Sequence, residues 1–586
     1  MKRLDEPPAT PSGTDKKDQA DQADQETTAT ASAATASAAT TPAASVTAAP
    51  AGIPHSKHSF DPDGLSARIV ALPVEPSNYG NIRAVGGRVF YQRRPGGPVA
   101  GDGEGEGFGD EQQTRTIVAV YDLKERKETV LGNFDSHEIT ANGKKMLVRN
   151  KNDCAIIDLP KDKIETKDKL DFSGLQLPVD RQAEWAQIFH ESWRQMRDFF
   201  YAPNMHGVDW PAQREKYARL LPLATTRDDL TCIIGEMIGE LHIGHTYVGG
   251  GDRAAAPRIQ TGLLGAELAR DTATGHYRIT RILRGENWEK NTRSPLTELG
   301  VNASEGDFLL AIDGKPARDM ANPFAALAGA AGRQVTLRIA PAPDDTAAAR
   351  DVVVVPVADE APLYYTDWVL RNIEHVAKKT GNRAGYLHIP DMGPEGLNEF
   401  VKRFYPQLHK EALIIDVRGN GGGNVSPMII ERLRRELVMI ETTRNGPPDT
   451  NPSHMHLGPK VTLMNEYSAS DGDIFPHRFR EMGLGKLIGK RSWGGVVGIN
   501  DSLPFMDGGY LYVPQYAPYS KDGKDWVIEG HGVDPDIVVD NDPAREFRGE
   551  DQQLDRAIEE ILAALKTTAP RRPLPPPPPW PEKPAK

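Results

Sequence analysis

The chain has 586 residues, more than a single core sustains, and its length implies about three or four domains. It carries 82 acidic against 70 basic side chains with no basic cluster in the interior, which excludes nucleic acid as the main partner and favours peptides or small molecules. Its two cysteines, Cys154 and Cys232, stand too far apart in sequence to suggest a disulfide framework or a cysteine-rich metal site.

No apolar run reaches the roughly 20 residues of a membrane span. Lys2 and Arg3 are not followed by an apolar stretch, so no secretory signal is expected and a cytoplasmic protein is the expectation. Residues 1–55 are dominated by Ala, Thr, Ser, Asp, Gln and Pro. They are expected to be disordered, because so few large apolar side chains cannot offset the entropy of ordering.

Between 60 and 170 short β-type runs are separated by Gly, Asp and Asn, at 66–73, 81–92, 116–122, 128–131, 145–149 and 154–158. Residues 87–91 and 142–147 read as hairpins of the kind found in propeller blades. At four strands per blade these runs make about one and a half blades, a partial β-propeller that cannot close.

From 180 to 255 the period becomes helical. Trp185, Ile188, Phe189, Trp193, Met196, Phe199 and Phe200 share one face, and Cys232, Ile233, Glu236, Met237 and Leu241 mark a second helix. Such aromatic spacing signals core rather than chemistry. The second helix runs into Leu241-His242-Ile243-Gly244-His245-Thr246-Tyr247. Two histidines three apart could share a metal on a helix, but the glutamate of a zinc-protease motif and a third ligand are missing, so no metal is expected. Taken singly, each histidine reads as a satisfied structural residue.

Residues 258–356 alternate apolar and polar positions and look like a PDZ domain, with a strand over 308–312, a tight turn at Asp313-Gly314, and Gly262-Leu263-Leu264-Gly265 in the place of a carboxylate-binding loop. Such a fold adds a chain end to its sheet edge, or serves only to hold its neighbours together.

Over 360–566 apolar strands alternate with helices, the pattern of an α/β domain. The strand at 412–417 ends in Asp416-Val417-Arg418-Gly419-Asn420-Gly421-Gly422-Gly423, whose glycines allow a sharp turn and a close approach to backbone N–H groups. It lacks the Lys-Ser/Thr ending of a phosphate loop. The run 461–464 reads as a buried strand leading through Asn465-Glu466-Tyr467-Ser468-Ala469-Ser470-Asp471-Gly472-Asp473 into a helix at 474–482. A serine at such a junction is either an N-cap or a nucleophile that needs a base, an orienting group and oxyanion donors. Glu529 precedes Gly530-His531-Gly532-Val533-Asp534-Pro535-Asp536 and on its own reads as a loop charge. Residues 551–566 form an amphipathic helix, and 570–586 a proline-rich tail.

Taken together, 416–423, 465–473, 489–498 and 529–536 resemble the tricorn protease family, relatives of the carboxyl-terminal processing peptidases. The likeness covers about 60–565, in the order propeller end, helical domain, PDZ, α/β domain. It implies Ser470 as nucleophile, with Ser468 the alternative, His245 rather than His242 as base, Glu529 as the acidic partner, and an oxyanion hole from the N–H groups of Gly423 and Asp471. By position, Glu441 matches the acidic residue that favours basic side chains at the cleavage site. It further implies oligopeptide substrates, no cofactor, and a homo-oligomer, a hexamer in the family.

Two departures stand out. The family usually has a serine directly before the base, bridging it to the glutamate, where this chain has Gly244; Glu529 is therefore expected to hold His245 directly or through water. Family members also carry two complete propellers ahead of the catalytic half, which implies a truncated product or a propeller completed by another chain. The expected function is a serine peptidase acting through an acyl-enzyme. The rival, favoured by both departures, is an inactive PDZ-containing peptide-binding scaffold, with a metal hydrolase third.

Overall fold

A computed structural model of the chain describes residues 69–95, 116–253, 256–345, 347–568 and 573–580, and apart from these only 2, 3 and 63. The disorder expected over 1–55 and most of the proline-rich tail lie outside the described residues. The chain forms two compact units that divide between Val179 and Asp180.

Apart from a two-residue parallel pairing of Lys2–Arg3 with Gln176–Leu177, the first unit is antiparallel. Strands β1 (Ser77–Val85), β2 (Arg88–Pro95), β3 (Ile117–Asp122) and β4 (Lys127–Asn133) form one meander, and β5 (Ser136–Ile139), β6 (Lys145–Asn150) and β7 (Asp153–Asp158) a second. The run expected over 81–92 is two strands. Gly86 and Gly87, at φ 58° and 76°, supply the two left-handed residues of a tight hairpin turn. Residues 69–76 hold no strand, although the run at 66–73 had suggested one. Phe90, Val118, Val120, Leu131, Met146 and Val148 form the core of this unit.

The second unit opens with helices α1 (Arg181–Phe199), α2 (Trp210–Ala218) and α3 (Arg227–Gly239). Asp180 caps α1 by accepting from the N–H groups of Gln182 and Ala183, and Thr226 and Asp229 form a reciprocal capping box on α3. Trp185, Ile188, Phe189, Trp193, Met196 and Phe200 are buried, but Phe199 is exposed. On α3 the buried face is Leu230, Ile234, Met237 and Ile238; Cys232 and Glu236, expected on the apolar side, face solvent. The chain then enters the short strand β8 (Tyr247–Gly250).

Strands β9 (Ala266–Arg270), β10 (Tyr277–Ile282), β11 (Phe308–Ile312), β12 (Val335–Ala340) and β13 (Arg350–Val354) pair in that order. Asp313 and Gly314 turn the chain at φ 46° and 76°, the tight turn expected there. The glycine loop differs from a carboxylate-binding one. The N–H groups of Gly262 and Leu263 donate to the Leu327 and Val357 carbonyls, each at 2.8 Å, and that of Gly265 to the Glu360 carboxylate at 2.7 Å. Three of its four N–H donors are thus already engaged by the chain itself.

Helix α4 (Ala361–Thr380) leads into a parallel sheet of β14 (Ala384–His388), β15 (Ala412–Asp416), β18 (Lys460–Met464), β19 (Gly485–Gly489) and β22 (Ile537–Val538). Helices α5 (Pro394–Phe404), α6 (Ser426–Leu433) and α7 (Asp471–Glu481) cover one face, and α4 with α8 (Gln552–Thr567) the other. All five residues of β15 are buried, as a strand covered on both faces requires. The hairpin β16 (Met439–Glu441) and β17 (Asp449–Asn451) projects from the connection after α6. Strands β20 (Gly498–Asn500) and β21 (Gly509–Tyr516) join β8 in a separate sheet, ordered β8-β21-β20. This sheet carries the 245 region to the α/β domain. Among the described residues, no helix is long and apolar enough to cross a membrane.

Candidate active site

Adjacent strands β15 and β18 run parallel, so the loops leaving their carboxyl ends lie side by side. The first carries the glycines. Its base is a buried ionic cluster: Arg418 donates to the Asp416 carboxylate at 2.6 Å and to Asp551 at 2.8 Å, and Tyr386 O–H donates to Asp416 at 2.9 Å. Asn420 then ties the two loops together. Its Oδ1 accepts from Gly422 N–H at 3.0 Å, its Nδ2 donates to the Ile389 carbonyl at 2.9 Å, and its carbonyl accepts from Ala469 N–H at 2.8 Å.

The second loop carries Ser470, which occupies the N-cap position of α7 yet makes no side-chain capping bond. Its φ and ψ, 55° and −123°, form a strained turn of the kind that lifts a side chain out of a strand-to-helix junction. Among the described residues Ser470 Oγ has no hydrogen-bond partner. A Cβ at Gly422 would stand 2.5 Å from Ser470 Cβ and 3.1 Å from its Oγ, so the glycine loop passes directly against this side chain. Ser468 is different: it is fully buried, and its hydroxyl donates to the Val417 carbonyl at 2.8 Å.

The N–H groups of Gly423 and Asp471 find no acceptor among the described residues. Gly423 sits at φ 144°, its carbonyl side pinned because Asn424 and Val425 N–H both donate to the Met392 carbonyl, at 2.7 and 2.9 Å. Asp471 turns its own carboxylate away, accepting from Ser426 N–H at 2.8 Å and from the Ser426 hydroxyl. That contact locks the first turn of α7 to that of α6. Burial raises the Asp471 carboxyl above the ordinary aspartate value, against those hydrogen bonds.

His245 is buried just ahead of β8. Its Nδ1 lies 2.7 Å from the Val497 carbonyl oxygen, which can only accept, so Nδ1 carries the proton and Nε2 holds the free lone pair. Glu529 makes no direct hydrogen bond to the ring among the described residues. Its Oε2 accepts from the N–H groups of Val496 and Val497 at 2.7 and 3.0 Å, bracing the residue whose carbonyl the ring contacts. Burial lowers the His245 pKa below the usual 6.5, opposed by the Val497 bond and the Glu529 charge.

One segment, 492–498, joins these pieces. Trp493 N–H donates to the Ser468 carbonyl at 3.0 Å, Gly494 N–H to the Asp473 carboxylate at 2.8 Å, and Val497 accepts from His245. The Trp493 indole stands edge-on to the imidazole at 6.0 Å. Asp473 is fully buried, and desolvation pushes its pKa up to about 6.

His242 lies elsewhere, exposed at φ 49° in a hollow with Tyr217, Glu236 and Glu240. Glu441 is on the exposed β16–β17 hairpin with its carboxylate bonded to Asn451, and no hydrogen bond links it to the Ser470 loop. Among the described residues, no group of three or more His, Cys, Asp or Glu side chains is placed to hold a metal. Gly244 leaves room: a Cβ there would meet only Trp493, at 3.5 Å. Val497, Asn420 and Trp493 lie inside the motifs read from the sequence, which gave none of them a role. Val497 acts through backbone, which no side-chain pattern reveals.

Comparison with known proteins fits this arrangement. Residues 383–539 match the model of peptidase family S41, 262–359 that of the tricorn protease PDZ domain, and 181–239 that of the tricorn protease C1 domain. The chain is 36% identical to tricorn protease homolog 1 of Streptomyces coelicolor over 88% of its own length and 48% of the relative's. It is 34% identical to a putative tricorn-like protease C-terminal subunit of Sulfurisphaera tokodaii, over 86% of this chain and 58% of that one. Against the crystal structure of the tricorn protease the TM-score is 0.76 at 30% identity, covering 84% of this chain and 47% of the other. The chain thus spans about half the length of most curated relatives it matches. The resemblance read from the four motifs is borne out.

Proposed function

We propose that this chain, which is similar to about half the length of the tricorn proteases it matches, is a member of that family and a serine peptidase hydrolysing oligopeptides through an acyl-enzyme. The observation that carries this reading is the Ser470 hydroxyl, unbonded on a strained turn against a glycine loop whose neighbouring N–H groups are unengaged. In the proposed reaction His245 Nε2 takes the Ser470 proton and the alkoxide attacks the substrate carbonyl. The Gly423 and Asp471 N–H groups stabilise the oxyanion, assisted by the N-terminus of α7. The protonated imidazole then hands its proton to the leaving amine, and water releases the acyl group. Val497 fixes the tautomer, and Glu529 acts as a positioning residue by bracing the segment that presents that carbonyl.

The Val497 bond weakens the main argument for an inactive scaffold, because Gly244 need not leave the imidazole unoriented. The two readings part on one experiment. A fluorophosphonate probe incubated with the full chain, followed by peptide mapping, is expected to label Ser470; a chain that stays unlabelled while hydrolysing no peptide is a scaffold.

The pH profile follows from burial. His245 must be neutral to act, and its pKa lies below 6.5. The acid limb of kcat/KM is therefore expected to rise with pH, reach half its plateau below 6.5, and stay level through neutrality. A half-point above 6.5 would contradict the burial of the base. The two meanders described in the first unit, one of four strands and one of three, fit a propeller remnant of nearly two blades. A cytoplasmic homo-oligomer, a hexamer as the family resemblance implies, completes the proposal.

A further inference from the structure

Four aromatic rings continue outward from His245 or border it. The imidazole meets Tyr247 at 5.7 Å between centroids, Tyr247 meets Tyr512 at 6.2 Å, Tyr512 meets Tyr510 at 5.3 Å, and Trp493 flanks the imidazole on another side. All these contacts except Tyr510–Tyr512, at 66°, are close to perpendicular, with 82–87° between planes. The register explains why the tyrosines share a face. Tyr247 pairs with Tyr512 and Gly249 with Tyr510, so their side chains project to the same side of the β8–β21 pair. Val248 and Leu511, the alternate pair, point the other way into the helical core. Gly249 makes the shelf possible, because a Cβ there would stand 2.6 Å from the Tyr510 hydroxyl.

This face is open. Tyr247 is 43% exposed and Tyr510 38%, high for rings packed on one another. Strand β8 is also an edge, and among the described residues its backbone hydrogen bonds go to β21 alone. An edge strand beside an aromatic shelf is the arrangement that takes up an extended peptide, with main-chain bonds along the edge and alternate side chains on the shelf.

Chemistry fixes which part of the peptide lies there. The base that activates Ser470 also protonates the leaving amine, so the residue carrying that amine rests against the imidazole. The shelf begins at that same imidazole, through its contact with Tyr247. We propose that the Tyr247–Tyr512–Tyr510 shelf binds the residues following the cleaved bond and selects bulky apolar or aromatic side chains at alternate positions. This rests on the peptidase reading above.

The test uses the full chain and internally quenched peptides that share the residues before the cleaved bond and carry Ser, Leu or Tyr, one position at a time, over the next four. Leu or Tyr is expected to exceed Ser in kcat/KM by about three- to tenfold at alternate positions. For the position resting on Tyr510, that ratio is expected to fall toward one in Tyr510→Ala and to persist in Tyr510→Phe. Flat ratios at all four positions in the wild-type chain overturn the proposal whether or not the variant folds. Fluorophosphonate labelling of Ser470 with flat ratios sinks the shelf alone; absence of both labelling and hydrolysis sinks the peptidase reading and the shelf with it. A changed oligomeric state in Tyr510→Ala with flat ratios would make the shelf a contact between copies, again overturning the proposal.

Discussion

Ser470→Ala is expected to lower kcat for peptide hydrolysis by about 10^4- to 10^6-fold, the range for loss of a triad nucleophile. The fold should survive, because the hydroxyl makes no hydrogen bond that alanine would lose. The backbone strain at φ 55° stays in place, and at a non-glycine residue it costs about 1–3 kcal/mol whichever of the two side chains is present. Thermal unfolding of the variant should therefore match the wild type while turnover disappears. Retained turnover would reject the nucleophile, and Ser468 could not replace it, since that hydroxyl is buried and committed to Val417.

Gly423→Ala is expected to cost about 100- to 1,000-fold in kcat, the usual result of losing one oxyanion donor. At φ 144° an added Cβ would run into the Met392 carbonyl, which is fixed by its bonds from Asn424 and Val425. The loop must shift to admit it, moving the N–H away from the oxygen of the carbonyl attacked by Ser470. The unfolding temperature should fall as well, since the residue is strained in that conformation. Full activity in a folded Gly423→Ala protein would remove this N–H from the mechanism.

Much of the α/β domain was legible because its signals are strong and local. A β-branched run such as 461–464 bounded by polar residues is a buried strand under almost any packing, and Asp313-Gly314 suits only a tight turn. The helical face on α3 was read one step out of phase, since Cys232 is apolar by type but nothing packs over it. The pieces of the candidate site were visible as motifs. Their connection was not, because it runs through peptide groups. Val497 contributes a carbonyl and Val496 an N–H, atoms every residue has, so only the fold reveals that they stand between Glu529 and His245. In the same way the glycine loop at 262–265 looks open in sequence, and only the structure supplies Glu360 as its acceptor.

That internal acceptor bears on motion. Glu360 sits where α4 begins, and the connection after β10 is also bound to the helices of the α/β domain. Arg284 donates to Asp367 at 2.9 Å, and Arg403 to Glu286 at 3.0 Å. A module stitched down at three places is held against the α/β domain, and it is not expected to open and shut over the serine as a lid. Access to Ser470 in this chain is then governed by the shape of the entrance, and turnover should carry no slow gating step from this module.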